Sequence, residues 1–308
     1  MLFPWASIDG IVIFSRVQLT TDVITTCLRE KIPVFFITGN GKYLGKLEPL
    51  DYKNVEVLYR QIGCALDEKC SLKYAKIFIN AKINNSKVML LRWRRLWRKE
   101  VLVSDIVDKL NSYLSQLKNA HDIGFVRGIE WSASRAYYEG FARFLKAPFV
   151  RNWRNRRPPL DPVNALLSLW YTLLAQTVYM YLQILSLDPQ IGFFHQPKDL
   201  RSLLVLDVME MFRSWIVDDL VLKILDEEEV VMEDFIIDRH SQTPVLLTEE
   251  WLKKFINRYY QMVFKKSNYD NAIDGTQWTK LKYMEKTMEE LKKSLIDKEF
   301  EYKGFLIK

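Results

Sequence analysis

The first fifty residues alternate short β-branched and aromatic runs with turn formers, whereas the chain beyond Tyr52 repeats its apolar positions every three to four residues. Residues 11–14 (Ile-Val-Ile-Phe) and 34–38 (Val-Phe-Phe-Ile-Thr) read as strands, and Gly39-Asn40-Gly41 as a tight turn, Asn-Gly being the strongest short hairpin signal. Thr20 to Glu30 carries apolar residues at helical spacing behind Thr21 or Asp22 as a cap and reads as a helix. Val55, Leu58, Tyr59, Ile62 and Leu66, then Leu72, Ala75, Ile79 and Ile83, line one helical face. Further helices are predicted over Val101–Ala120, Val126–Leu145, Pro162–Leu187, Asp199–Leu225, Glu249–Phe264 and Thr276 to about Asp297. The fold class is therefore α+β, with a small β-rich domain over residues 1–60 and a larger all-α domain over residues 61–308.

The stretch from Val163 to Leu187 holds no charged residue and is long enough to span a bilayer. Asn164, Ser168, Thr172 and Gln176 recur every four residues, however, and draw a polar stripe that a lone lipid-facing helix would not carry. The expectation is a buried central helix and no membrane partner. A 49% share of hydrophobic residues argues against wholesale disorder, and a net charge of +7 favours a polyanionic partner without identifying one. Cys27, Cys64 and Cys70 lack the paired spacing of zinc or thioredoxin-like sites, so three free thiols in a reducing compartment are expected. The N-terminal residues show no charged, apolar and small-residue succession of a signal peptide, which places the expectation in the cytoplasm. No Walker-type phosphate loop occurs, and no Ser-His-Asp or Cys-His arrangement stands out.

Four residues carry the candidate chemistry. Glu130 lies mid-helix and shares a face with Arg127, Ser134 and Tyr137, so an ordinary Arg127–Glu130 ion pair competes with a functional role. His195 follows the Asp188-Pro189 break and an apolar run, which suits a core histidine as well as a ligand. Asp207 and Glu210 lie three apart on a helix made apolar by Leu203, Leu204, Leu206, Met209, Phe212 and Trp215, and acids so placed need a charge partner or a metal. Arg213 on their own face would serve as such a partner. One nitrogen with carboxylate oxygens suits Mn²⁺ and tolerates Mg²⁺, while three histidines in all argue against a multi-histidine zinc site. Two basic stretches laced with aromatics, residues 92–99 with Arg94 and Arg95, and residues 151–157 with Arg151, Arg154, Arg156 and Arg157, are candidate DNA-backbone contacts, with Arg213 as a further one.

Arg127-Gly128-Ile129-Glu130 with Ala136-Tyr137-Tyr138, the segments ending in His195 and in Arg213, and the run from Arg156-Arg157-Pro158-Pro159 to Ser168 together resemble the CRISPR-associated integrase family, the endonuclease subunit that inserts new spacers. The resemblance runs from about Pro4 to the C-terminus. It implies one divalent ion, Mn²⁺ or Mg²⁺, held by Glu130, His195 and an acid from Asp207 and Glu210, and a DNA 3′-hydroxyl attacking a phosphodiester. It further implies a prokaryotic homodimer that joins double-stranded DNA and a small ferredoxin-like companion subunit. Members usually begin with further strands ahead of the segment resembling residues 7–14, so an exposed strand edge is expected here. The rival reading is a non-catalytic basic scaffold that binds DNA and uses its acids only for ion pairs.

Overall fold

The computed structural model describes residues 4–5, 8, 10–14, 17–38, 43–49, 54–149, 158–195, 202–238, 244–267 and 278–307. Strand β1 (Ile11–Phe14) runs parallel to β2 (Val34–Ile37), with helix α1 (Thr21–Arg29) as the crossover, and β3 (Tyr43–Leu47) returns antiparallel to β2. The sheet order β1-β2-β3 leaves β1 and β3 as edges among the described residues. Helix α1 is capped ahead of both predicted caps by Thr20, whose side chain accepts the Val23 N–H at 3.3 Å. Ile13, Cys27, Ile32 and Val34 form a small core of their own under this sheet. The Gly39-Asn40-Gly41 turn lies outside the described residues.

The described helices after Asn54 pack around one larger core. Helix α2 (Val55–Leu66) is separated from the long α3 (Glu68–Leu96) by Asp67 alone, which ends the first and caps the second by accepting the Cys70 N–H at 2.6 Å. That abrupt junction brings the Cα atoms of Cys64 and Cys70 to 5.2 Å, and the two are disulfide-bonded. The expectation of three free thiols is thereby corrected: only Cys27, buried, is free. Helices α4 (Ser104–Lys118) and α5 (Ile123–Ala142) pack on α3, and α6 (Pro162–Ile184) threads the centre. By length and composition α6 is apolar enough to cross a membrane, yet more than half of its most apolar stretch is buried by protein. Trp170 stacks on Phe255 at 3.9 Å between ring centres and Thr177 Oγ1 meets Tyr259 Oη at 2.9 Å, so protein packs against α6. Of the predicted polar stripe, Asn164 bonds Asp161 and Thr172 bonds Ser168 O, while Ser168 Oγ and Gln176 Oε1 are buried without a hydrogen bond among the described residues.

The predicted helix over Asp199–Leu225 is three pieces instead. Helix α7 (Leu203–Met209) stops at Glu210, a widened π turn covers Arg213–Asp218, and α8 (Asp219–Asp226) resumes. Wide turns of this kind cluster at functional sites. Here Lys280 Nζ inserts against the turn and donates to Trp215 O at 2.7 Å. A short hairpin, β4 (Phe235–Ile237) with β5 (Val245–Leu247), leads into α9 (Glu249–Phe264), and a two-residue pair, β6 (Lys266–Ser267) with β7 (Trp278–Thr279), leads into α10 (Lys280–Ile296). The last residues then fold back over α3. Asn85, fully buried, donates to Met211 O and Phe305 O at 2.8 Å each and accepts the Ile307 N–H at 2.9 Å.

Candidate active site

The His195 segment owes its course to two side chains distant in sequence. Gln61 on α2 donates to Asp188 O at 2.8 Å and Ile191 O at 2.7 Å and accepts the Asp188 N–H at 2.8 Å, which anchors the start of the segment. At its far end Asp207, fully buried on α7, accepts the N–H groups of Phe193 (2.6 Å), Phe194 (2.9 Å) and His195 (3.0 Å). Asp207 Oδ1 also lies 2.6 Å from His195 Nδ1. Three backbone donors and an imidazole thus satisfy one buried carboxylate. The ring is held by Nδ1, and no described group engages Nε2.

Such closeness between segment and helix requires Gly192. A Cβ there would meet Leu203 Cβ at 2.7 Å, Asp207 Oδ2 at 2.8 Å and the Leu203 carbonyl carbon at 2.9 Å, so even alanine cannot enter without moving α7 or the His195 segment.

Glu210 is satisfied differently. Its Oε1 pairs with Arg213 Nη2 at 2.9 Å, and Lys82 Nζ on α3 lies 2.8 Å from its Oε2. The same ammonium contacts Glu130 Oε1 on α5, and Ser134 Oγ donates to that oxygen at 2.9 Å. Two acids from segments eighty residues apart therefore converge on one nitrogen, with Arg213 set over the Tyr171 ring at 4.9 Å. Burial pushes the Glu210 carboxyl up, but the Arg213 and Lys82 cations outweigh it and hold the group at about 2. Glu130 is likewise lowered, its burial overcome chiefly by Lys82. Lys82 is raised in turn, because the two carboxylates offset the burial that favours its neutral form.

The predicted residues thus assemble into two neighbouring arrangements, His195 with Asp207 and Glu130 with Glu210, close enough for His195 to bear electrostatically on Glu210. Arg127 is not the partner of Glu130; the ion pair is non-local. Arg213, expected at the DNA backbone, is instead buried and committed to Glu210 and Tyr171, because the break after α7 turns it inward. Arg94 and Arg95 project from the exposed end of α3, and the candidate contacts Arg151, Arg154, Arg156 and Arg157 lie outside the described residues. Asp218 and Asp219 are both buried. The first accepts hydroxyls from Tyr137 (2.6 Å) and Tyr171, the second accepts Trp93 Nε1 at 3.0 Å and pairs with Lys223 at 2.7 Å. Lys82, Gln61 and Gly192 escaped sequence reasoning. A signal for Lys82 existed, since it falls three and four positions after the buried Ile79 and Phe78, where a charge on a core-facing stripe demands a partner.

Among the described residues, no three His, Cys, Asp or Glu side chains stand close enough together to hold an ion as they are. Their chemistry nevertheless fits a hard divalent ion. Glu130 and Glu210 already share one cation, the Lys82 ammonium standing in for it, and among the described residues no group engages His195 Nε2.

A mostly helical body with a small N-terminal strand region, built around a buried carboxylate and imidazole centre, defines the class of fold. Within it, the chain belongs to the Cas1 family: the family model for CRISPR associated protein Cas1 matches residues 2–261. It is 34% identical over 255 residues to CRISPR-associated endonuclease Cas1 3 of Thermus thermophilus, covering 81% of this chain and 72% of the relative. It is 33% identical over 253 residues to a Cas4 exonuclease/Cas1 endonuclease fusion of Geobacter sulfurreducens, of which it spans 45%. Among solved structures it resembles a Cas1 protein from Thermotoga maritima, with a TM-score of 0.75 at 21% identity over 99% of this chain and 90% of the other. A casposase bound to integration product gives the same TM-score at 23% identity over 96% and 86%. These two likenesses concern the fold.

Proposed function

We propose that this chain is a metal-dependent DNA endonuclease and integrase of CRISPR adaptation, which inserts spacer DNA into a CRISPR array by attack of a DNA 3′-hydroxyl on a phosphodiester. The observation that carries the reading is the convergence of Glu130 and Glu210 on a single cation beside an imidazole aligned by Asp207. Glu130, Glu210 and His195 through Nε2 would hold the ion, and Asp207 would orient rather than bond it. A divalent ion there supplies Lewis-acid polarisation of the scissile phosphate and eases in-line displacement. The protein's own contribution is alignment: Asp207 fixes the imidazole, Gln61 fixes the course of its segment, and Arg213 adds positive charge where a phosphate gains negative charge. Water replaces the 3′-hydroxyl as nucleophile in simple cleavage.

Related proteins support the partners. One neighbouring structure is a casposase bound to integration product, and another is a partial Cas6-RT-Cas1–Cas2 complex, with a TM-score of 0.77 at 24% identity. By extension, this chain works on DNA with a Cas2 companion, and the family resemblance further implies a homodimer, double-stranded DNA, a small ferredoxin-like form of that companion and a prokaryotic cytoplasm. The basic stretches at Arg94 and Arg95 and at residues 151–157 are its candidate backbone contacts.

One observation favours the scaffold reading: Lys82 and Arg213 already neutralise both acids, as ordinary ion pairs would. Strand transfer of a labelled short duplex into a repeat-bearing plasmid, with the companion subunit and with Mn²⁺, Mg²⁺ or EDTA, separates the two. Glu130→Ala and His195→Ala should lose about 10³-fold or more in transfer while still binding DNA, equivalent to roughly 4 kcal/mol of barrier. Full activity in either variant, or no metal dependence in folded wild-type protein, would remove the catalytic reading.

A further inference from the structure

Lys82 is the charge at the centre of the site to which the nuclease reading gives no role. It is buried on α3 and contacts Glu130 Oε1 and Glu210 Oε2. With Arg213 included, two acids face two cations, so the cluster is electrically balanced as it stands. A divalent ion bonded to the same carboxylates brings two more positive charges into a buried space and needs oxygens that the ammonium already touches. Both cannot hold that point, and one cation has to yield. Arg213 is pinned from two sides, by Glu210 Oε1 at 2.9 Å and by the Tyr171 ring beneath it. Lys82 Nζ has no described partner other than the two carboxylates, and its unbranched stem can carry the ammonium away.

We infer that Lys82 is the resident cation of the metal position, gathering Glu130 and Glu210 while no metal is bound and leaving that position when a divalent ion enters. This rests on the reading of Glu130 and Glu210 as metal ligands. The consequence is competition: the protein binds metal more weakly than its carboxylates alone would, and metal binding frees a lysine at the centre of the site.

The experiment is Mn²⁺ binding to EDTA-stripped protein, followed by the electron paramagnetic resonance signal of free Mn²⁺, for wild type, Lys82→Met and Glu130→Gln. Lys82→Met should bind about tenfold tighter or better, because the competitor is gone, and Glu130→Gln about tenfold weaker or worse. Weaker binding in Glu130→Gln without a gain in Lys82→Met overturns the inference alone. Equal binding by all three proteins, or by none, overturns the ligand assignment and the inference with it. Should Lys82→Met fail to fold, wild type decides by lysine acetylation read by peptide mass spectrometry, with exposed Lys253 as internal standard. Lys82 should be protected in EDTA and gain severalfold in labelling at saturating Mn²⁺; unchanged labelling overturns the inference.

Discussion

Two acids three positions apart at the end of α7 are stabilised by opposite means. Around Asp207 the partners are backbone N–H groups and an imidazole, drawn from one segment of three consecutive residues. Around Glu210 they are full charges on side chains from α3 and from the turn after α7, shared with Glu130. The first arrangement depends on shape, since its donors are fixed to the main chain and tolerate almost no displacement. The second depends on charge balance, and long side chains can redistribute within it. The proposed metal centre would gain from having both: one part that holds a ligand still, and one that could exchange one cation for another.

The comparison breaks first at Gly192. Gly192→Ala places a Cβ within 3 Å of Leu203 and Asp207, so the variant should lose about 3 kcal/mol or more in chemical denaturation. It should also lose strand transfer, because His195 leaves Asp207, while Glu130 and Glu210 keep their cation. A variant of wild-type stability and activity would mean that the approach of the segment to α7 is not required.

Acid tests the other half. The Glu210 carboxyl titrates at about 2 in the fold against an ordinary 4.5, so the unfolded chain takes up its proton first. Its contribution, on the order of 3 kcal/mol, is complete above pH 4.5 and is lost as pH falls toward 2. Glu130, also lowered, adds a loss of the same sign. Urea denaturation between pH 6 and 2.5, in EDTA, should show a steeper fall for wild type than for Glu210→Gln. Parallel curves would deny the charge-balanced character of this region.

The difference between the two arrangements also explains what the chain revealed in advance. Helix α9 matches the predicted Glu249–Phe264 residue for residue, because its apolar period and the following basic run are local. The helix predicted over Asp199–Leu225 has an equally good apolar period, but periodicity cannot register a break whose cause is tertiary: buried Asp207, Glu210, Asp218 and Asp219 each reach a different partner, and Lys280 enters the widened turn. Glu130 shows the same limit. Sequence offered Arg127 three residues away, whereas the structure uses Lys82, forty-eight residues distant. Asp207 and Glu210 were conspicuous as acids on an apolar helix, whereas Glu130 and His195 each had an ordinary structural reading and were singled out by the family resemblance. Their partition into an orienting Asp207 and a charge-paired Glu210 was not, because it depends on which side of α7 meets the His195 segment.

The smallest effect is the most discriminating one. Asp207→Asn preserves volume and one carbonyl oxygen but presents an amide where either Phe193 and Phe194 or His195 donate their N–H groups, so one end of the clamp becomes donor against donor. The substitution also removes the carboxylate that holds Nδ1. If Asp207 orients His195 without bonding metal, transfer should fall by about 10- to 100-fold, worth roughly 1.4–2.7 kcal/mol, with Mn²⁺ still bound and still required. If Asp207 were itself a ligand, the loss would match that of Glu130→Ala, and Mn²⁺ affinity would fall with it. Running Asp207→Asn and Glu210→Gln side by side therefore assigns the two acids: the orienting one loses rate and keeps its metal, and the ligand loses both.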